Sequence, residues 1–156
     1  ISKGHEFYLD LLKEQITKEN LTNVVKIKPI YFPEKDIPYL FSASDLVIFP
    51  YTEEDRSASG SFHLTLGAAK LLICSRIPKF EEEAKEISDE ILYTPGNYLT
   101  LVGLIDRIRS DKRFKDFLQG KILQYRYNTS WHHIAWKHAQ LYFNLLGKDL
   151  TISEPL

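Results

Sequence analysis

Two short apolar runs, separated by a polar loop and a helical segment, constrain the fold of this chain more than any other feature. The runs cover residues 46–49 and 71–74, and each is long enough to form a buried strand. Between them, residues 51–56 are polar, and residues 57–60 begin a helix that we predict to end near Ala69. A strand, a helix and a second strand in this order form a βαβ unit with parallel strands. The sequence therefore predicts an α/β fold.

The start of the predicted helix is the first candidate site. Parallel sheets bind ligands at the carboxyl ends of their strands, next to the N-termini of the following helices. Ser57 and Ser59 are suited to cap this helix, and Gly60 presents no side chain to an approaching ligand. Free amides in the first turn, together with the helix dipole, favour an anion. A small-residue start also caps helices that bind nothing, so both interpretations stay open.

The segment from residue 41 to residue 80 resembles the donor-binding core of family 4 glycosyltransferases of the GT-B fold. That family has an a-x-D-v-x-v-x-P strand, a loop, a small-residue helix start, then E-A-x-A-x-G-x-P-V-v-a-s and x-x-P-x-x-x-E. The matching positions here are Ala43, Asp45, Pro50, Gly60, Ala68, Ala69, Lys70, Ser75, Pro78 and Glu82. The resemblance extends from about residue 8 to residue 142, and it depends on order and spacing rather than on one decisive motif.

The resemblance implies that the chain is the donor-binding half of a retaining glycosyltransferase, with a nucleotide-sugar as its donor substrate. The implied donor-binding residues are Arg56, Ser57, Ala58, Ser59, Gly60 and Thr65. Tyr31 and Phe32 lie in the loop that would touch the nucleotide base, although aromatic side chains can equally pack beneath such a loop. The acceptor and the catalytic groups would belong to a missing N-terminal domain, so the catalytic residues are unknown and this chain alone should be inactive.

Two positions depart from the family pattern. The family helix usually begins E-x7-E, in which the first glutamate holds the donor sugar and the second holds the ribose. This chain has Ser57 and Thr65 at those positions, although a subgroup of similar transferases begins with the same R-S-A-S-G. A hydroxyl forms a weaker hydrogen bond to ribose than a carboxylate does. The alternative function is therefore a noncatalytic nucleotide-binding or interaction domain that has kept the GT-B fold.

Two basic side chains near the helix start each have two interpretations. Arg56 precedes the candidate anion site and could meet a diphosphate, or it could pair with Glu54 or Asp55. His63 could face the ligand or could be a buried, hydrogen-bonded histidine. No metal or other cofactor is expected, because similar transferases offset the diphosphate charge with amides and basic side chains.

The composition excludes several classes of protein. The chain has 156 residues, of which 44% are hydrophobic, so it can bury a core, and its formal net charge of −1 disfavours a nucleic-acid partner. Its single cysteine, Cys74, lies in a predicted strand, which fits a reducing, cytoplasmic compartment. No apolar run approaches the roughly 20 residues that span a bilayer, and membrane association of a full-length protein is left open.

The remaining segments complete a Rossmann-like parallel sheet with helices on both faces. We predict further strands at residues 23–28 and 91–93, which gives four strands in all, and helices over residues 5–19, 36–42, 81–86, 98–108, 111–125 and 129–146. The apolar side of the last helix comprises Trp131, Ile134, Ala135, His138, Tyr142 and Leu145.

The predicted domain covers residues 1–146, followed by a tail at residues 147–156. The chain begins at Ile1 and contains no methionine, and two upstream strands of the family domain are missing from it. We therefore expect an incomplete piece of a longer protein. Homo-oligomerisation is one way in which such a piece could cover its exposed apolar surface.

Overall fold

The computed structural model describes residues 6–52 and 59–147, and the chain forms two compact units, residues 1–37 and residues 38–156. The first unit contains helix α1 (Glu6–Lys18) and a 3-10 turn (Glu34–Asp36). Helix α1 is followed by Asn20, whose φ of 56° is left-handed, and the N–H of Leu21 returns to the carbonyl of Ile16 at 2.8 Å. This arrangement is a usual way for a helix to end.

The predicted strand at residues 23–28 is wrong, since this segment is not in a strand. The amides of Val24 and Val25 both bond back to the carbonyl of Leu21, at 2.9 and 2.8 Å. These bonds form a local turn, and the described residues offer the segment no neighbouring strand. Apolar and polar residues alternate only weakly in this segment, and it contains two lysines, so neither face of a strand here would be apolar enough to be buried.

The second unit contains a three-stranded parallel sheet, where the sequence predicted four strands. The strands are β1 (Leu46–Phe49), β2 (Leu71–Ser75) and β3 (Leu92–Tyr93), in the order β1-β2-β3. In the register of the sheet, Leu46 pairs with Leu71 and Cys74 pairs with Leu92. The predicted α/β class and the central βαβ unit are confirmed.

The α-helices that follow α1 in the described part of the chain are α2 (Ile37–Ala43), α3 (Gly60–Gly67), α4 (Pro78–Ile87), α5 (Tyr98–Ser110), α6 (Lys112–Asn128) and α7 (Trp131–Leu145). Four of them begin with a side-chain cap that accepts the amide three residues later; the caps are Ser59, Asn97, Asp111 and Ser130. Helix α4 begins at Pro78, earlier than predicted, because a proline fits the first helical turn without losing a hydrogen bond.

The core surrounds the central strand. All five residues of β2 are buried, and since successive side chains point to opposite faces, both faces of this strand are covered. Helix α6 contacts β2, α3, α4 and α5, and it buries Phe114, Leu118 and Ile122 along one side. Between α3 and β2, Ala69 adopts a left-handed φ of 53°, and its carbonyl accepts a 2.9 Å hydrogen bond from Gln119 of α6.

Helix α7 differs from its prediction. The predicted apolar side includes Trp131, Tyr142 and Leu145, and these residues are 88%, 58% and 75% exposed. The residues that α7 turns inward include His133, which is buried, with Trp136 and Phe143 partly buried. The helix has two apolar sides, and only the packing against its neighbours selects the one that is buried.

Candidate functional site

The carboxyl ends of the three strands lie along one edge of the sheet, which we call the carboxyl edge. Ser75, the last residue of β2, is fully buried, and its Oγ lies 2.6 Å from the carbonyl of Tyr51 and 3.3 Å from that of Phe49. A hydroxyl carries one proton, so the shorter contact receives it. The N–H of Arg76 donates to the carbonyl of Tyr93 at 2.7 Å. These bonds join the segments that follow β1, β2 and β3.

An aromatic cluster lies beneath this edge. The ring of Phe62, in the first turn of α3, lies 5.8 Å from Phe49 of β1 and 5.1 Å from Phe80, in the first turn of α4. The ring of Tyr51 lies 5.5 Å from Phe80, and Lys79 Nζ lies 4.8 Å from the centre of the Tyr51 ring. The cluster therefore fixes the starts of both helices relative to the end of β1.

The start of α3 lies at this position, and its first two residues are exposed. Ser59 is the N-cap, with its Oγ accepting the Phe62 N–H at 3.4 Å, and its own side chain is buried. Gly60 and Ser61 are exposed, and no group within residues 6–52 and 59–147 accepts a hydrogen bond from either amide. A Cβ placed on Gly60 would meet no atom within 4 Å. Among the described residues these two helix-terminal amides have no acceptor, which is the usual condition of donors that bind an anion.

The other predicted donor-binding residues are not gathered around these amides. Arg56, Ser57 and Ala58 lie outside the described residues. Thr65 is fully buried, and its hydroxyl donates to the carbonyl of Ser61 at 2.8 Å. A ribose would reach Thr65 only if the side chain were uncovered and this bond exchanged.

His63 and the two base-contacting candidates lie in different surroundings. The His63 side chain is 49% exposed, and its Nε2 lies 3.6 Å from a carboxylate oxygen of Glu83 on α4, so the buried interpretation is wrong. Tyr31, in the first unit, is 97% exposed, which leaves its ring open to a partner. Phe32 is partly buried.

Most charged groups near the carboxyl edge are already paired. The guanidinium of Arg76 binds both oxygens of Asp89, at 2.8 and 2.7 Å, which raises the pKa of Arg76 and lowers the pKa of Asp89. A hydrogen bond from Lys85 is the main cause of the lowered pKa of Glu81. Lys79 has no carboxylate partner among the residues that the structure describes, and it faces the Tyr51 ring.

Sequence reasoning missed Lys79. The signal that points to it is its place directly after Pro78, because a proline that begins a helix brings the next side chain into the first turn, at the end of the preceding strand. The neighbouring Cys74 is buried as expected, and burial raises the pKa of its thiol to about 12, which makes it unreactive.

A separate cleft of about 620 Å³ opens where α3 meets the end of α6 and the start of α7. It is lined by His63, Leu66, Gly67, Tyr125, Arg126, Thr129, Ser130, Trp131 and His132. Burial and the nearby carboxylates of Glu83 and Glu86 raise the pKa of Tyr125 to about 12, so the phenol stays protonated. The lining of this cleft does not include Ser59 or Gly60.

Two further findings concern the described residues only. They contain no group of three or more histidine, cysteine, aspartate or glutamate side chains placed to hold a metal ion. They also contain no helix that is both long enough and apolar enough to cross a bilayer.

Comparison with known proteins gave no match to a family model, a curated protein or a solved structure.

Proposed function

We propose that this chain is the donor-binding part of a retaining glycosyltransferase that uses a nucleotide-sugar. The observation that carries the proposal is the exposed start of α3 at the carboxyl end of β1, in the register of the family resemblance. A strand, a phosphate-binding helix start and a parallel strand are the usual parts of a nucleotide site in an α/β sheet. The order β1-β2-β3 is compatible with one half of a doubly wound sheet.

The chemistry asked of this site is electrostatic. When the bond between the sugar and the diphosphate breaks, negative charge develops on the departing phosphate oxygen. The amides of Gly60 and Ser61 are preorganised donors for such an oxygen, and the dipole of α3 adds to their effect. Lys79, which has no carboxylate partner in the described part of the chain, would supply the cationic charge. The acceptor and its activating groups would come from a further domain.

The burial of Thr65 restricts the proposal. Because its hydroxyl is bonded to Ser61 and covered by the core, it does not support the ribose contact that the resemblance implies. The proposal therefore depends on recognition of the phosphates by α3, and any ribose contact is a separate question.

Calorimetry with UDP and GDP tests the phosphate site. Ser59→Asp keeps a good N-cap but places a negative charge at the amides, whereas Ser59→Asn keeps both the cap and the neutral charge. We expect binding by the unmodified chain and by Ser59→Asn, and a loss of more than about tenfold in Ser59→Asp, since like charges about 4 Å apart repel by several kcal/mol at a protein surface. Equal binding by the two variants would remove the proposed site.

The buried Thr65 favours one alternative, a noncatalytic nucleotide-binding or interaction domain. A binding domain predicts nucleotide binding without hydrolysis of any nucleotide-sugar, even when the acceptor-binding domain is joined to it. Assaying sugar release from UDP- and GDP-sugars by such a longer protein separates the two functions. Turnover that is lost in Ser59→Asp and kept in Ser59→Asn defeats the alternative.

A further inference from the structure

Helix α7 carries an apolar stripe that faces away from its own domain. The stripe comprises Trp131, Ala135, His138, Tyr142 and Leu145, and we call it the outer stripe. All five residues are exposed, and the exposed fraction of the Trp131 side chain and backbone together is 88%. Isolated apolar residues on a surface need no explanation, but three large ones aligned on one side of a helix, here Trp131, Tyr142 and Leu145, are typical of an interface.

The spacing of the outer stripe is that of a coiled-coil seam. Successive members are four, three, four and three residues apart, which is the a/d pattern of a heptad repeat over two heptads. Side chains at this spacing stay within one narrow stripe and pack against a second helix that crosses at a small angle. The partner for this surface is therefore a helix rather than a flat sheet or a small molecule.

The opposite side of α7 holds the helix in place. His133 is buried, Trp136 and Phe143 are partly buried, and α7 contacts α6. The Ser130 side chain accepts the N–H of His133 at 3.2 Å and caps the first turn. Since the helix is already formed and anchored, a partner that binds the outer stripe does not have to order it.

We propose that the outer stripe docks against the outer stripe of a second copy of this chain, forming a two-helix seam across a twofold axis. The stripe and its flanking residues Leu141 and Leu146, which are 53% and 70% exposed, present on the order of 700 Å² per copy, given that one aromatic side chain alone can bury 150–250 Å². Specific interfaces bury about 600–1,000 Å² per partner, a range that includes this estimate, whereas the largest patch on a monomer is usually about 300–600 Å².

The charges around the seam favour a second copy over an unlike helix. Partner choice in coiled coils is set by charged residues beside the seam, at positions e and g. Within α7 and its C-cap those positions are His132, Ile134, Ala139, Leu141 and Leu146, and none of them is a lysine, arginine, aspartate or glutamate. Two copies therefore meet without fixed like-charge repulsion, and the flanking leucines extend the apolar contact to both sides.

Sedimentation equilibrium of the chain tests the proposal at micromolar to submillimolar concentrations. We expect a species of twice the 18.2 kDa chain mass that dissociates on dilution. Ala135→Glu places a carboxylate within the seam and should weaken the dimer by more than about tenfold, because two charges would then be desolvated against apolar neighbours. Gln140→Glu adds the same charge on another side of α7, and its dimer should be unchanged.

Both substitutions are at exposed helical positions, so circular dichroism and thermal unfolding should show folded variants. Trp131→Gln removes the largest side chain of the outer stripe without adding charge, and this variant should also be monomeric. The same result in both variants would show that the loss of the dimer is not due to a folding defect of Ala135→Glu alone. A wild-type chain that stays monomeric at the highest concentration overturns the proposal, in favour of a different occupant. A dimer that survives both seam variants overturns it as well.

Discussion

Replacing Ser75 by alanine tests how the loop after β1 is attached to the sheet. The Ser75 hydroxyl is fully buried and donates to the carbonyl of Tyr51 at 2.6 Å, with the carbonyl of Phe49 at 3.3 Å as a second neighbour. Alanine removes one oxygen atom and adds nothing, so the variant deletes the bond with little change of shape. The Tyr51 carbonyl loses its donor just after the end of β1.

The expected loss in the free energy of unfolding is about 1–1.5 kcal/mol. A neutral hydrogen bond contributes about 1 kcal/mol net, and a buried acceptor left unpaired adds to the loss. Tyr51 is 38% exposed, so water can reach its carbonyl and keep the loss in the lower part of the range. For a chain of this size, such a loss corresponds to a fall in Tm of roughly 3–5 °C.

Urea unfolding followed by circular dichroism measures this difference. Ser44→Ala is the matched control, because the Ser44 hydroxyl makes a similar 2.7 Å bond, to the Leu40 carbonyl, at an exposed position. The control should lose less than about 0.5 kcal/mol. If Ser75→Ala shifts the urea midpoint no more than Ser44→Ala does, with equal m-values, the hydroxyl does not anchor the loop and our account of the carboxyl edge fails.

Three other predictions concern single sites in the second unit. Ala69→Gly should raise the free energy of unfolding by about 0.5–1 kcal/mol in urea titrations, because a left-handed φ of 53° strains alanine but not glycine; an unchanged midpoint would contradict this. Asp89→Asn should lower the free energy of unfolding at neutral pH, because a carboxylate with a depressed pKa stabilises the fold only while it is ionised. The difference in stability from wild type should disappear in acid, as the pH falls through the lowered pKa of Asp89. A difference that persists after Asp89 is protonated would refute its pairing with Arg76. The Cys74 thiol, with a pKa of about 12, should react with a thiol reagent at pH 8 only as fast as the chain unfolds, and rapid labelling of the folded chain would show that it is accessible.

The sequence was informative wherever a pattern depends on local chemistry. The apolar runs at β1 and β2 predicted a parallel pair, and Ser59, one of the two predicted caps, does cap its helix. Capping and strand formation are local or nearly so, since they use the backbone groups and the side-chain alternation of the same short segment.

Local pattern failed at residues 23–28, because a strand exists only when a second strand accepts its hydrogen bonds. Local pattern also gave no sign that Thr65, which aligns with a ligand-binding position of the family, is covered by the packing of α3 and bonded within its own helix. Neither outcome can be obtained from the residues alone, since both depend on which elements lie beside the segment.

Helix α7 shows the same division. Its periodicity determined that it is a helix with an apolar side, and the sequence marks that side at Trp131, Tyr142 and Leu145. Packing against α6 decided that the side with His133 is buried and that the marked side is exposed. Periodicity fixes which residues share a face, whereas burial is a property of the neighbours, and only the tertiary structure supplies them.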